Sequence, residues 1–434
     1  MRGTLLAVTG LVLGGASLAG LVVSGALERS AVSSAVRTPL SAEQVKALAP
    51  RGAAIAAAAD CYACHTARGG APWAGGMPFE TPFGTIHATN ISPSPEGIGG
   101  WSRADFHRAL RDGIAPGGRH LYPAMPYTSY RGMSEGDVDA LYAYLTTRAP
   151  KPVANRPNTL PFPFDQRWTL AAWNLLNLPA SVADPDPARS ALWNRGRYVT
   201  EALGHCGECH TPRDITQGLR TRAALTGAVI EGLDAPDITP AGLRRMGFSP
   251  ASLARFMGLG LSAQGSATHQ MFDVVHFSTQ HMERADLTAM AAYLFDRDAV
   301  EAEAPPALPP PAPVEAAVAA RARATYDGLC AGCHGAKAEG IPHVSVALRG
   351  NASLRTASPS GFVRAVLAGL PAQSFPGGER MEAMPGFAVD LDDAAIADLA
   401  NWMRAEWGGQ APAVRPNDIA AVRATLTARH AARE

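Results

Sequence analysis

The sequence predicts a mainly α chain made of three tandem copies of one helical module, and three observations carry that reading. A Cys-x-x-Cys-His pentapeptide occurs three times, at 61–65, 206–210 and 330–334. A serine-capped amphipathic helix follows each copy. A second amphipathic stripe closes each copy. Repetition at this scale argues for tandem domains of one type, and 434 residues leave room for about three.

The pentapeptide fixes the chemistry. Cys61, Cys64, Cys206, Cys209, Cys330 and Cys333 are all six cysteines of the chain, and His65, His210 and His334 follow the three pairs. Cys-x-x-Cys-His is the attachment signature of covalent c-type haem. Each thiol adds to one porphyrin vinyl group, and the histidine is then placed under the iron. A thioredoxin-like redox pair does not need the histidine and expects a βαβ pattern. A zinc site needs four ligands in two spaced pairs, yet the next copy lies more than a hundred residues away. Structural disulfides would have to close very short rings. Three covalently bound haems c are therefore expected.

Charge and the N-terminus bound the partners and the address. The formal net charge is +0 and only 18% of residues are charged, so there is no field for nucleic acid. Arg2 precedes an apolar stretch from Gly3 to Leu27, long enough to span a bilayer. Residues 1–30 read as a transmembrane anchor. The alternative is a signal peptide cut after Ala26, where Ser24, Gly25 and Ala26 supply small residues. Either reading exports the rest of the chain. The expected location is the periplasmic side of the cell inner membrane.

The first module is placed at 45–180, the second at 188–300 and the third at 314–410. Residues 31–50 read as a tether, and a helix through Gly52–Ala59 enters the first motif. Gly69 to Gly100 reads as a Gly/Pro-rich loop. Ser102 with Asp105 forms a capping box, Phe106, Ala109 and Leu110 follow, and Gly113 closes the helix. Ser249-Pro250 with Leu253, Phe256, Met257 and Gly260 repeats the pattern, as does Ser358-Pro359 with Phe362, Ala365, Val366 and Gly369. The closing stripes are Val138, Leu141, Tyr142, Leu145, then Leu287, Met290, Ala291, Leu294, then Ile396, Leu399, Ala400, Met403. Residues 160–165 form a proline-aromatic connector before the Trp168–Trp173 region, and 184–187 mark a boundary. A Pro-rich linker covers 301–313, and 411–434 carry a tail helix from Asp418.

A c-type haem with one histidine is completed by methionine, by a second histidine, or is left open for chemistry. Met125, Met271 and Met384 occupy the same interval of their modules, between the capped and closing helices. Proline after Met125 and Met384 pushes them toward extended backbone; Met271 lacks that Ala-Met-Pro setting. Met77, Met133, Met257, Met282, Met290, Met381 and Met403 read as core filler, Met282 and Met381 being the nearest competitors. His87, His107, His120, His269 and His276 share no common place in the repeat and read as surface, core or propionate-contacting groups. Three haems closed by thioethers form an electron relay, not a catalyst.

Longer strings carry a family resemblance: 81–85 (TPFGT), 89–93 (TNISP), 97–101 (GIGGW), 121–127 (LYPAMPY) and 204–213 (GHCGECHTPR). On these the chain resembles the three-haem cytochrome c subunits of bacterial membrane-associated periplasmic dehydrogenases. The resemblance implies three tandem class I cytochrome c domains and axial pairs His65–Met125, His210–Met271 and His334–Met384. It also implies a separate catalytic subunit as electron donor, and ubiquinone or a cytochrome as acceptor. Residues 160–168 with 173–176 look most like the branch serving molybdenum hydroxylases of aldehydes or nicotinate. The alternatives are pyrroloquinoline quinone or flavin dehydrogenases of alcohols and sugars. No nucleophile–base arrangement or Gly-x-Gly-x-x-Gly loop is present, so no catalytic residue, flavin, nicotinamide or molybdenum site is expected in this chain. A self-contained peroxidase would need one haem left open, against the three aligned methionines. A haem subunit of a terminal oxidase is a third class.

Overall fold

The computed structural model describes residues 33–179, 184–230, 232–300 and 307–431. The expected anchor or signal at 1–30 lies outside the described residues, as do 301–306 of the expected linker. Among the described residues no helix is long and apolar enough to cross a membrane. Secondary structure is mainly α, with five two-stranded antiparallel hairpins as the sheet content among those residues. The chain forms two compact units. One holds residues up to Pro185 with 201–205 and 214–218; the other holds 186–200, 206–213 and 219–434.

In the first unit α1 (Ala42–Ala58) leads into α2 (Cys61–His65). The expected tether at 31–50 is thus helical from Ala42 onward. Ser41 and Gln44 form a capping box that starts the helix, and Pro50 interrupts the bonding pattern without ending it. Buried Ile55, Ala56 and Ala58 hold the second half of the helix. Its partner is the closing helix that carries Ala140, and the two cross at backbone contact. A Cβ on Gly52 would sit 1.9 Å from the Ala140 carbonyl oxygen.

The expected loop at 69–100 contains a hairpin, β1 (Pro78–Thr81) with β2 (Gly84–His87), in register Thr81 to Gly84 and Pro78 to His87. Only four residues long per strand, it offers too little alternation to stand out from a Gly/Pro-rich background. Helix α3 (Arg103–Asp112) follows with the expected Ser102–Asp105 capping box, and Gly113 ends it at φ 70°. Then come β3 (Ile114–Ala115), β4 (Arg119–His120), α4 (Tyr127–Tyr130), α5 (Glu135–Thr146) and α6 (Thr169–Asn177). Val138, Leu141 and Leu145 of the closing stripe are at most 1% exposed. At about 1.5–3 kcal/mol for each fully buried aliphatic side chain, this stripe is a main source of stability.

A polar clasp joins α3 to α5. Arg103 grips Asp139 with Nε and Nη2, each at 2.5 Å, and His107 Nε2 lies 2.9 Å from Oδ1. His107 is fully buried, which makes it a core residue. Burial alone would raise the Asp139 carboxyl, but hydrogen bonds from His107 and Arg103 outweigh it and hold the group at about 2. Its folded value is therefore depressed, so its contribution is present above the ordinary carboxylate range and is lost as pH falls toward 2. Asp139→Ala should cost roughly 3–5 kcal/mol, because it strands the guanidinium. Acid-unfolding curves of the wild type and this variant should converge as the pH reaches about 2.

Further along the chain α7 (Ala191–Arg197) passes into a π-helical turn, Tyr198–Leu203, before α8 (Gly207–His210). Here Gly196 takes the place of Gly52: a Cβ on it would meet the Ala289 carbonyl oxygen at 1.9 Å. The hairpin β5 (Ala228–Ile230) and β6 (Leu233–Ala235) precedes α9 (Pro240–Arg245) and α10 (Pro250–Leu259). Ser249 caps α10, Pro250 is its first residue, and Gly260 ends it at φ 69°. The hairpin β7 (Leu261–Ser262) and β8 (Gly265–Ser266) is followed by α11 (Gln270–Phe277) and the closing helix α12 (Arg284–Leu294).

The third motif follows α13 (Ala316–Leu329) directly, in α14 (Ala331–His334). Helix α15 spans Ser360–Ala368, so it begins one residue later than the expected Ser358-Pro359 start. The Ser358 hydroxyl still accepts the Ser360 N–H at 3.2 Å, and it donates to Asp234. The hairpin β9 (Gln373–Ser374) and β10 (Arg380–Met381) precedes α16 (Asp393–Gly408) and α17 (Pro416–Ala431). One core cluster gathers Tyr326, Leu354, Phe362, Val366, Ile396, Leu399, Met403 and Trp407.

Candidate haem sites

Each pentapeptide folds as a single helical turn, so both thiols and the imidazole project from neighbouring positions of one short element. None of the six cysteines is in a disulfide. No group of three or more His, Cys, Asp or Glu side chains comes together in a metal-holding arrangement among the described residues. Burial, with the adjacent Cys64 thiol and Asp60 carboxyl, pushes the Cys61 thiol well above its ordinary value. Burial and Cys333 push Cys330 up to about 11.

The three histidines share one hydrogen bond that the motif does not announce. His65 Nδ1 lies 2.6 Å from the Thr89 carbonyl, His210 Nδ1 2.7 Å from that of Pro236, and His334 Nδ1 3.2 Å from that of Val346. A carbonyl can only accept, so Nδ1 carries the proton and Nε2 keeps its lone pair. Burial lowers all three imidazoles, against the pull of these carbonyls, which favours the neutral ring. A neutral imidazole with Nδ1–H held and Nε2 free is the form that ligates iron. The side chains therefore fit a covalent haem with a histidine ligand.

A glycine completes each of these sites. The Gly75 N–H donates to the His65 carbonyl, Gly227 to that of His210, and Gly340 to that of His334, each at 2.8 Å. All three have left-handed backbone, with φ of 73°, 92° and 74°. A Cβ on Gly75 would lie 2.4 Å from the Thr89 carbonyl carbon. On Gly227 it would lie 2.9 Å from Asp237 N, and on Gly340 2.6 Å from Ala347 N. One glycine thus holds the histidine backbone and lets the acceptor segment approach. Sequence reading missed this clamp because the glycine follows its histidine by 10, 17 or 6 residues. Only a fold can align such unequal spacings.

The methionines differ in setting. Met125 lies in the turn before α4; its N–H donates to Tyr122 and its carbonyl accepts from Tyr127. Met384 forms a two-way backbone bridge with Leu370, both bonds 2.9 Å. Met271 instead sits in the first turn of α11, so no loop presents it. All three side chains are half-buried. Among the competitors, Met133, Met257, Met290 and Met403 are buried in the core.

Two further groups brace the first site. Tyr130 donates its hydroxyl to the Ala59 carbonyl at 2.7 Å. Asn90 donates to the Lys151 and Val153 carbonyls and accepts from Ser92, which fixes the segment that carries Thr89. The 89–93 string is thus explained as scaffolding for the imidazole.

A cytochrome c family model matches residues 49–149 and 319–407. A nicotinate dehydrogenase component of Pseudomonas putida is 38% identical over 375 residues, 85% of this chain and 31% of that one. The chain thus spans about a third of that relative. The gluconate 2-dehydrogenase cytochrome c subunit of Pantoea cypripedii is 36% identical over 398 residues, 87% of this chain and 90% of that one. The cytochrome c subunit of the quinone alcohol dehydrogenase of Gluconobacter oxydans is 35% identical over 415 residues, 88% and 83% of the two chains.

Proposed function

This chain belongs to the family of multihaem cytochrome c subunits of dehydrogenase complexes, electron-transfer rather than catalytic subunits, and we propose that it relays electrons through three covalent haems. The observation that carries the number is the threefold recurrence of one local geometry: thiol pair, neutral imidazole on a carbonyl, and glycine clamp. Cys61 and Cys64, Cys206 and Cys209, and Cys330 and Cys333 would hold the three groups covalently. His65, His210 and His334 would be the histidine ligands of the irons, and Met125, Met271 and Met384 the thioether ligands. When bound, the group supplies a one-electron iron couple, and a thioether ligand raises its potential.

The donor is a catalytic dehydrogenase subunit, and the acceptor is ubiquinone or a cytochrome. We favour a molybdenum hydroxylase as donor, supported by the 38% identity to the nicotinate dehydrogenase component. The second reading, a flavin or pyrroloquinoline quinone dehydrogenase of sugars or alcohols, is favoured by length, since the chain covers 90% and 83% of the gluconate and alcohol dehydrogenase subunits. The apolar segment 3–27 supports attachment at the periplasmic face of the inner membrane.

Purification of the native complex tests all of this at once. Three haems per chain, negligible carbon monoxide binding by the ferrous protein at neutral pH, and a copurified molybdenum-containing subunit are the expected results. Stoichiometric carbon monoxide binding refutes closed haems, and a flavin or quinone partner transfers the case to the second reading.

A further inference from the structure

We propose that Arg355 is the partner of a haem propionate, placed in a buried polar seam where the second and third haem-bearing segments meet within one unit. Arg355 follows the short 3-10 turn Ala352–Leu354 and is only 7% exposed. Its Nε is buried and has no hydrogen-bond partner among the described residues, which also supply it with no ion pair. Burial pushes the guanidinium below its ordinary value. The group reaches across to the second segment: a Cβ on Gly247, at φ 90°, would lie 2.0 Å from Arg355 Nη1. The neighbouring backbone is tied across the same seam, since the Ala352 N–H donates to the Gln264 carbonyl at 2.8 Å. A Cβ on Gly265 would lie 2.5 Å from Asn351 Nδ2. Gln264 is itself buried, and its Oε1 has no donor among the described residues.

A buried guanidinium without a counter-charge is costly and rarely retained. Arg111, Arg131, Arg364 and Arg404 are buried too, and each keeps one nitrogen without a partner among the described residues, but the guanidiniums of Arg131 and Arg404 are held elsewhere. Arg131 pairs with Asp112 at 2.5 Å, and Arg404 donates to the Thr356 and Ala357 carbonyls. Among the described residues Arg355 has neither kind of acceptor. Haem c, fixed through its two former vinyl groups, brings two carboxylates of its own, and a guanidinium fork matches a carboxylate. Rotation of the Gln264 amide about Cγ–Cδ turns Nε2–H toward the position of Oε1, as a second donor. This inference rests on haem being bound at the motifs of this unit.

A fixed positive charge near an iron disfavours its oxidised state, so removing it lowers the potential. In the full-length holoprotein, Arg355→Gln should keep three haems per chain and lower the midpoint potential of a single haem in a potentiometric titration. Arg355→Lys keeps the charge but not the fork and should lower the same midpoint by less. Gln with three haems and all midpoints unchanged overturns the proposal, as does a uniform shift of all three. If Gln prevents haem loading, the Lys variant decides: an unmoved midpoint overturns it. A wild-type count below three haems refutes the three-haem reading instead.

Discussion

Met384→Leu is expected to lower the midpoint potential of one haem by on the order of 0.2 V, within the about 0.8 V that axial ligands span, and to leave the fold intact. Leucine nearly conserves volume, which usually costs under about 1.5 kcal/mol, but it removes the thioether sulfur. The backbone at this position does not depend on the side chain. It is fixed by the two-way bridge to Leu370 and by Gly369, where a Cβ would meet the Met384 carbonyl oxygen at 2.3 Å. The expected spectrum loses one methionine-ligated low-spin signal, and the ferrous protein gains carbon monoxide binding at one iron. Met125→Leu and Met271→Leu should do the same for the other two. Met271 is the most demanding case, because a helix and not a Met-Pro loop carries it. Three unchanged haem spectra in any one variant would reassign that ligand, with Met282 next in line in the second module and Met381 in the third.

Gly75→Ala should remove one haem per chain and lower the unfolding temperature. Alanine at φ 73° costs about 1–2 kcal/mol in backbone strain alone. Its Cβ would also press to 2.4 Å on the Thr89 carbonyl carbon, so that segment must withdraw. The carbonyl that orients His65 withdraws with it, and Nδ1 loses its partner. Gly340→Ala should act likewise on the His334 site, where the approach is 2.6 Å. Haem-to-protein ratio and thermal melting of both variants provide the measurement. Normal haem content and an unshifted melting temperature would show that the clamp is dispensable.

The folded chain also revises particular readings. Helix α1 begins at Ala42 rather than near Gly52, because the Ser41–Gln44 capping box supplies the start and Pro50 does not stop it. The hairpin at 78–87 was unreadable at four residues per strand. The third capped helix starts at Ser360, since Ser358 turns its hydroxyl toward Asp234, more than a hundred residues away. His107, one of five histidines without a common place in the repeat, proves to be half of a buried clasp with Asp139.

By itself the sequence determined what depends on neighbours along the chain. The thiol pairs with their histidines sit within five residues, and the helices announce themselves by capping residues and a 3.6-residue apolar period. Family membership was legible for the same reason, in contiguous strings such as 121–127. The tertiary structure alone decided which carbonyl meets each imidazole, which glycine makes room for it, and that Arg355 has no acceptor among the described residues. Those relations join residues 6 to more than a hundred positions apart at no fixed spacing, because packing is blind to sequence separation.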